Sequence, residues 1–306
     1  MDKLKLHISD ETSRLKAVVL GIANSNGPTP TIDEAYDPKS IEHIKKGTYP
    51  KEEDMVLEMD QFEQALKKHN VTVYRPNIIK DYNQIFSRDI GFVIENKFIK
   101  SNILPDRERE LLAIDFVLSQ IEEGNIITLP EECHIEGGDV MPHNNYIFVG
   151  TYRGDDYADF ITARTNEAGV SALKEIFPNK IVKSFNLRKS NTDPKENALH
   201  LDCCFQPVGN GKAIIHKNGF LEEEEYEWLV NLFGKENVFE ISKDEMYDMM
   251  SNIFSIAPDV VVSDKHFVRL NNWLKEQGIT VEEINYREIA KQEGLLRCST
   301  LPLIRE

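Results

Sequence analysis

The sequence is short of three things that would each point to a particular class. Its four cysteines, Cys133, Cys203, Cys204 and Cys298, form no CxxC pair and no disulfide framework. Reduced thiols in a cytosol are the plain expectation. No apolar run approaches the ~18 residues that a membrane span requires, and Met1-Asp2-Lys3-Leu4-Lys5 lacks the apolar core of a signal peptide. A cytoplasmic protein is expected. Basic residues are also few: 36 Lys and Arg stand against 52 Asp and Glu, a formal charge of -16. That balance excludes the basic footprint of a nucleic-acid or anionic-membrane partner. It suits a small cation as partner, although an acidic surface also serves solubility.

What is present is ordinary globular material: 306 residues, 41% hydrophobic and 29% charged, enough for a sizeable core. One pattern returns five times: the end of an amphipathic helix, a polar turn, then a β-branched strand. The copies run through Ala65–Tyr74, Leu118–Leu129, Leu173–Val182, Leu229–Ile241 and Trp273–Ile284. In each, helical spacing of apolar residues gives way to strand spacing at a Gly or Asn. Between copies, hairpins are expected around Glu95-Asn96-Lys97 and Gly209-Asn210-Gly211. The second of these places Cys203 and Cys204 in a strand. Tyr146–Val149 and Val260–Val262 read as further strands.

Each unit therefore reads strand, strand, helix, strand. Five such α/β units around an axis make a closed propeller with no internal boundary, so a single domain over 1–306 is expected. Asp89, Glu136, His200, Asn252 and Cys298 each follow the strand of their own copy by roughly 7 to 18 residues. Equivalent positions in a closed ring converge on its axis.

Other segments carry less. Gly27–Pro50 reads as a long irregular insert in the first unit, a lid or merely surface. Glu222-Glu223-Glu224-Glu225 suits a solvated helix start, and Pro105 before Asp106–Glu110 suits another. Met246, Met249 and Met250 read as core filling.

Four segments remain: Phe86-Ser87-Arg88-Asp89, Glu136-Gly137-Gly138-Asp139, His200-Leu201-Asp202 and Arg297-Cys298-Ser299-Thr300-Leu301-Pro302-Leu303. In this order they resemble the motif segments of the guanidino-group-modifying enzymes: arginine deiminases, amidinotransferases and dimethylarginine hydrolases. The resemblance spans nearly the whole chain. It implies a five-module α/β propeller (the pentein fold), a cysteine nucleophile, no metal and no organic cofactor. It assigns Cys298 as nucleophile and His200 as acid and then base. A planar guanidinium with its fan of N–H donors is gripped by carboxylates, and Asp89, Glu136 and Asp202 are the candidates for that grip. By the same resemblance Asn83 and Arg164 hold the substrate's amino-acid end, although an insertion at Arg153-Gly154-Asp155-Asp156 shifts the alignment near Arg164.

Carboxylates beside Cys298 raise the pKa of its thiol, so activation by the bound cation or by protonated His200 is expected, not a resting thiolate. The preferred reaction is hydrolysis of an arginine-like guanidino compound through a covalent thiouronium. Amidino transfer to an acceptor amine is the alternative, because Val71–Pro76 and Asp106–Glu110 resemble amidinotransferases. A third reading is a propeller that has lost catalysis and serves as a binding module. The acid at Asp202, two residues after the histidine, disfavours the dimethylarginine branch. Leu295-Leu296, where deiminases place paired glycine, disfavours free arginine as substrate. Oligomeric state, including a homo-oligomer, is not readable.

Overall fold

The computed structural model describes residues 3–154 and 157–306. Met1 and Asp2, and the pair Asp155 and Asp156 from the inserted stretch, lie outside the described residues. Strands are numbered in chain order. The first sheet begins with β1 (Leu15–Leu20) and β2 (Thr72–Tyr74). The second holds β3 (Gly91–Ile94), β4 (Lys97–Lys100) and β5 (Ile126–Thr128), and the third β6 (Val140–His143), β7 (Tyr146–Thr151) and β8 (Ile181–Asn186). The fourth holds β9 (Phe205–Val208), β10 (Lys212–Ile215) and β11 (Val238–Glu240), and the fifth β12 (Phe254–Ala257), β13 (Val260–Asp264) and β14 (Thr280–Ile284). Finally β15 (Thr300–Arg305) returns to pair with β1 and completes the first sheet.

All five sheets share one plan. An antiparallel pair is followed by a parallel strand added to its middle member. A parallel neighbour needs a crossover, and here helices supply it: Glu52–Lys68, Glu167–Ile176, Glu223–Phe233 and Val268–Glu276, with the short Arg109–Leu112 and Asp115–Leu118 in the second unit. The strand ending each sequence repeat is the third strand of a sheet. The expected five-module α/β propeller is the fold observed.

Helix Glu52–Lys68 shows why these residues fold so. Acids fill its first turn and Lys67 and Lys68 its last, both favourable to the helix dipole. Met55, Met59, Phe62 and Leu66 recur at helical spacing and are buried on one face. The Phe62 ring meets Phe254 and Tyr286 edge-on, with centroids 5.8 and 5.7 Å away. Those contacts tie the first unit to the fifth. Met246, Met249 and Met250 are core residues, as expected.

Two expectations need correction. The insert is not irregular: it contains helix Pro38–Lys45, because Asp37 caps it through the Ser40 N–H at 2.7 Å and Pro38 stands at the first turn. Cys203 and Cys204 are buried but precede the strand, in and just after the turn Leu201–Cys203. That turn is held by the His200 carbonyl, which accepts from Cys203 N at 3.1 Å, and by Asp139 Oδ1, which accepts from Leu201 N at 2.9 Å. Among the described residues, no helix is long and apolar enough to cross a membrane.

Candidate active site

The five phased residues occupy equivalent places. Asp89, Glu136, His200, Asn252 and Cys298 each lie in the segment entering the first strand of the next sheet: β3, β6, β9, β12 and β15. All five are buried.

Cys298 is fixed from two sides. Its N–H donates to Asn252 Oδ1 at 3.1 Å, and Asn252 Nδ2 donates to its Sγ, also at 3.1 Å. Asp202 presents its two oxygens to Sγ at 3.6 and 3.8 Å. Behind the cysteine, the fully buried Arg297 donates to Asp202 Oδ2 at 2.8 Å, to both Glu11 oxygens at 3.1 Å, and to the carbonyls of Gly138 and Val140. One guanidinium thus joins the cysteine, histidine and glycine segments. Glu11 stays ionised: burial opposes that, but Arg297 and Arg88 outweigh it and hold its pKa down at about 2. Burial, together with Asp202 and Asp89, pushes the Cys298 thiol well above its ordinary value.

His200 sits on the opposite charge. Its Nε2 lies 2.8 Å from Glu136 Oε2, and its Nδ1 lies 3.7 Å from Asp89 Oδ1 without a hydrogen-bond partner. Burial disfavours the imidazolium, but Asp89, Glu136 and Asp139 prevail and raise the pKa to about 9. Glu136 remains a carboxylate: burial works against it, yet Arg164 and His200 draw it down to about 2. The paired glycine now has a reason. A Cβ on Gly138 would stand 2.5 Å from His200 Nδ1, and one on Gly137 would stand 2.1 Å from the Arg88 carbonyl oxygen. Only hydrogen fits at either place.

Asp89 Oδ2 accepts from Arg107 Nη1 at 2.8 Å, and Arg107 Nε donates to Glu110 Oε1 at 2.7 Å. Burial lifts Glu110 to about 7 against the pull of Arg107. Reading their run as a helix start passes over Arg107 and Glu110 as site residues. Their three-residue spacing on one helical face is the available signal. Glu11 and Glu293 also escape the sequence reading.

These groups open on a cavity of about 610 Å³. Its wall includes Asp89, His200 and Cys298, with Asn83 and Arg164, the pair assigned by resemblance to the substrate's amino-acid end. Glu136 and Asp202 are not on the wall: they stand behind His200 and Cys298. Asn83 and Arg164 are already engaged, Asn83 with Gln292 at 2.7 Å and Arg164 with Glu136 at 3.3 Å, the Ile161 carbonyl at 2.7 Å and the Tyr36 carbonyl at 3.1 Å. The insert contributes Tyr36, Asp37, Ser40 and Tyr49 among others, so it is a wall of the cavity and not mere surface.

Asp89, Glu136 and His200 bring potential metal-ligand atoms within 4.8 Å of one another. Arg107 and Arg164 already neutralise the two carboxylates, so the trio suits a singly charged imidazolium better than a divalent ion.

The family model described as N,N dimethylarginine dimethylhydrolase, eukaryotic, matches residues 35–305. The chain belongs to that family. It is thereby a member of the guanidino-modifying enzymes, the superfamily implied by the motif segments. The match is to the branch that Asp202 was read as disfavouring, so that acid does not exclude membership. YkgA, an uncharacterized protein of Bacillus subtilis, is 31% identical over 245 residues, 79% of this chain and 77% of that protein. Arginine deiminase of Listeria monocytogenes is 26% identical over 266 residues, 73% of this chain. This chain spans 62% of that deiminase's length. Among solved structures, the N-terminal domain of ArgZ, a cyanobacterial arginine dihydrolase, superposes with a TM-score of 0.77 at 17% identity. That match covers 94% of this chain and 98% of the other, and it shows a shared fold.

Proposed function

We propose that this chain is a cysteine-dependent hydrolase of an arginine-like guanidino compound, acting as one catalytic unit over 1–306. The observation that carries the reading is a single cavity wall presenting a buried thiol, an imidazole and a carboxyl group: Cys298, His200 and Asp89. A guanidinium entering this cavity meets Asp89 in its plane. Glu136 and Asp202 act from behind, setting the charge of His200 and the position of Cys298.

The cation's arrival offsets the carboxylates and expels the thiol proton to solvent. Sγ attacks the central guanidinium carbon, forming a C–S bond. His200 then gives its proton to the departing nitrogen as the C–N bond breaks, leaving a thiouronium. The neutral imidazole takes a proton from water, whose oxygen adds to the same carbon. Collapse breaks the C–S bond and yields a ureido product and the free cysteine. Asn252, bonded to both the N–H and the sulfur of Cys298, keeps the nucleophile oriented throughout.

A second reading, amidino transfer, draws on one observation: Asp106, Arg107 and Glu110, from the segment resembling amidinotransferases, stand on the cavity wall. The test is product analysis by mass spectrometry on a panel of guanidino compounds, with and without glycine or ornithine. A ureido product formed without acceptor and lost in Cys298→Ala supports hydrolysis. A guanidinylated acceptor with no ureido product overturns hydrolysis in favour of transfer.

A further inference from the structure

We propose that Asn252 is the hydrogen-bond donor that stabilises the sulfur of Cys298 as a thiolate, a catalytic group that the fifth sheet adds to the site. The inference rests on Cys298 being the nucleophile of the reaction above, and it goes beyond the orientation of that cysteine.

Five equivalent segments enter the five sheets, and four of them bring a thiol, an imidazole and two carboxyl groups: Cys298, His200, Asp89 and Glu136. The segment entering β12 brings neither acid nor base at this place but a carboxamide, Asn252, which is fully buried. Asn252 is not on the cavity wall, so it reaches the chemistry through the sulfur and not through the substrate.

Its neighbours fix which way the amide points. Nδ2 donates to Cys298 Sγ at 3.1 Å and to the Asp202 carbonyl at 3.4 Å, while Oδ1 accepts from Cys298 N at 3.1 Å. Turned over, the amide would set its oxygen against a sulfur and a carbonyl, and its NH2 against an N–H. The backbone holds the donor in place. The Asn252 carbonyl accepts from Leu296 N and Arg297 N, both at 3.2 Å, and the Asn252 N–H donates to the Met249 carbonyl at 3.0 Å. Ser251 Oγ, next to it, donates to the Asp202 carbonyl at 2.9 Å. A donor fixed in this way needs no reorganisation when charge appears on sulfur.

Charge on sulfur is what most of the site resists. The charged and titratable groups around Sγ are Asp202, which accepts from Arg297 at 2.8 Å and from the Cys203 thiol at 3.8 Å, and, on the cavity wall, Asp89 and His200. Burial, Asp202 and Asp89 disfavour the thiolate, whereas the Leu295 backbone and the Asn252 amide favour it. Among the described residues, Asn252 Nδ2 is the side-chain donor that reaches Sγ. Sulfur carries negative charge twice in the reaction. It does so when the thiol loses its proton before attack, and again when the C–S bond breaks and its electron pair returns to sulfur. The same N–H serves both moments.

The experiment is alkylation of Cys298 in the full chain by iodoacetamide, a neutral electrophile that needs no guanidino site, followed by peptide mass spectrometry. Three substitutions separate donation from orientation. Asn252→Ala removes both amide bonds, Asn252→Ser restores a hydroxyl able to donate to sulfur, and Asn252→Asp keeps an oxygen for the Cys298 N–H without the amide donor. At pH 9.0, the ordinary thiol value, alkylation is expected to fall about tenfold in Asn252→Ala, the equivalent of about one unit of thiol pKa. It should recover in part in Asn252→Ser and stay low in Asn252→Asp. Thiolate absorbance should move to higher pH in the same order, a shift that lost orientation alone does not cause. Asn252→Asp or Asn252→Ala reacting as fast as the parent overturns the inference. Should Asn252→Asp fail to fold by circular dichroism, equal rates in Asn252→Ser and Asn252→Ala overturn it instead. Turnover adds a second readout: kcat should fall in Asn252→Ala with KM unchanged, because the amide touches sulfur and not the cavity. Alkylation does not depend on the proposed reaction, so the two fail separately. The expected rank order without a ureido product from the guanidino panel keeps the donor to sulfur and rejects hydrolysis. A ureido product with Asn252→Asp as reactive as the parent does the reverse.

Discussion

Arg297 donates to Asp202 Oδ2 at 2.8 Å, and the same oxygen lies 3.6 Å from Cys298 Sγ, so a fully buried ion pair stands directly behind the candidate nucleophile. Removing one member of such a pair leaves the other charged, buried and alone, which costs about 3–5 kcal/mol. Arg297→Met should therefore lower the unfolding free energy by about that amount, measured by urea denaturation, and abolish turnover. A variant as stable as the parent would show that Glu11 and Asp202 relax or take up protons without penalty.

The thiol of Cys298 should be protonated in the empty enzyme. Thiolate absorbance in the ultraviolet, taken as the difference between the parent and Cys298→Ala, is expected to be absent below the ordinary thiol value of 9.0 and to emerge only above it. A thiolate signal at neutral pH would overturn this expectation.

His200 should titrate near 9. Its folded-state pKa is raised above the unfolded value of 6.5, so the stability it supplies is fully present below 6.5 and is lost as pH rises through about 9. The melting-temperature gap between the parent and His200→Asn should accordingly be widest below pH 6.5 and close toward pH 9. The rate of amine departure should fall over the same alkaline range. An imidazole titrating at its ordinary value by NMR would contradict both statements.

Gly138→Ala places a methyl group 2.5 Å from His200 Nδ1. The ring must move, and displacement of a reacting group by about 1 Å can cost roughly 100-fold in rate. Stability should fall by about 1–3 kcal/mol, the usual cost of overpacking. Steady-state kinetics alongside thermal melting checks both. Unchanged kcat would mean that the imidazole position tolerates the shift.

Much of this arrangement is legible in the amino-acid sequence. The five helix-to-strand repeats mark the third strands β2, β5, β8, β11 and β14 because period and turn chemistry are local properties. Their common phase puts Asp89, Glu136, His200, Asn252 and Cys298 at equivalent entries into the next sheet. Depth is not legible in the same way. Three carboxylates are candidates for one grip, yet only Asp89 lies on the cavity wall, since the depth of Glu136 and Asp202 depends on the arginines packed around them. Glu11, Arg107 and Glu293 escape notice for a similar reason: their partners are far away in sequence or belong to no motif. The helix in the insert is signalled by Asp37-Pro38, but the prolines and glycines around it outweigh that signal.

The pairing of β15 with β1 has a consequence for how the molecule fails. The propeller is fastened by a clasp whose two halves come from opposite ends of the described chain, and Cys298 stands immediately before one half. Its carbonyl accepts from Arg88 N at 3.0 Å, and the next carbonyl, that of Ser299, accepts from Gly21 N at 2.9 Å. If the clasp slips, the sulfur is withdrawn from the imidazole while the remaining four sheets can still hold their shape. Under mild stress the enzyme should fall silent before it falls apart, behaving as a protein whose working part is also its fuse.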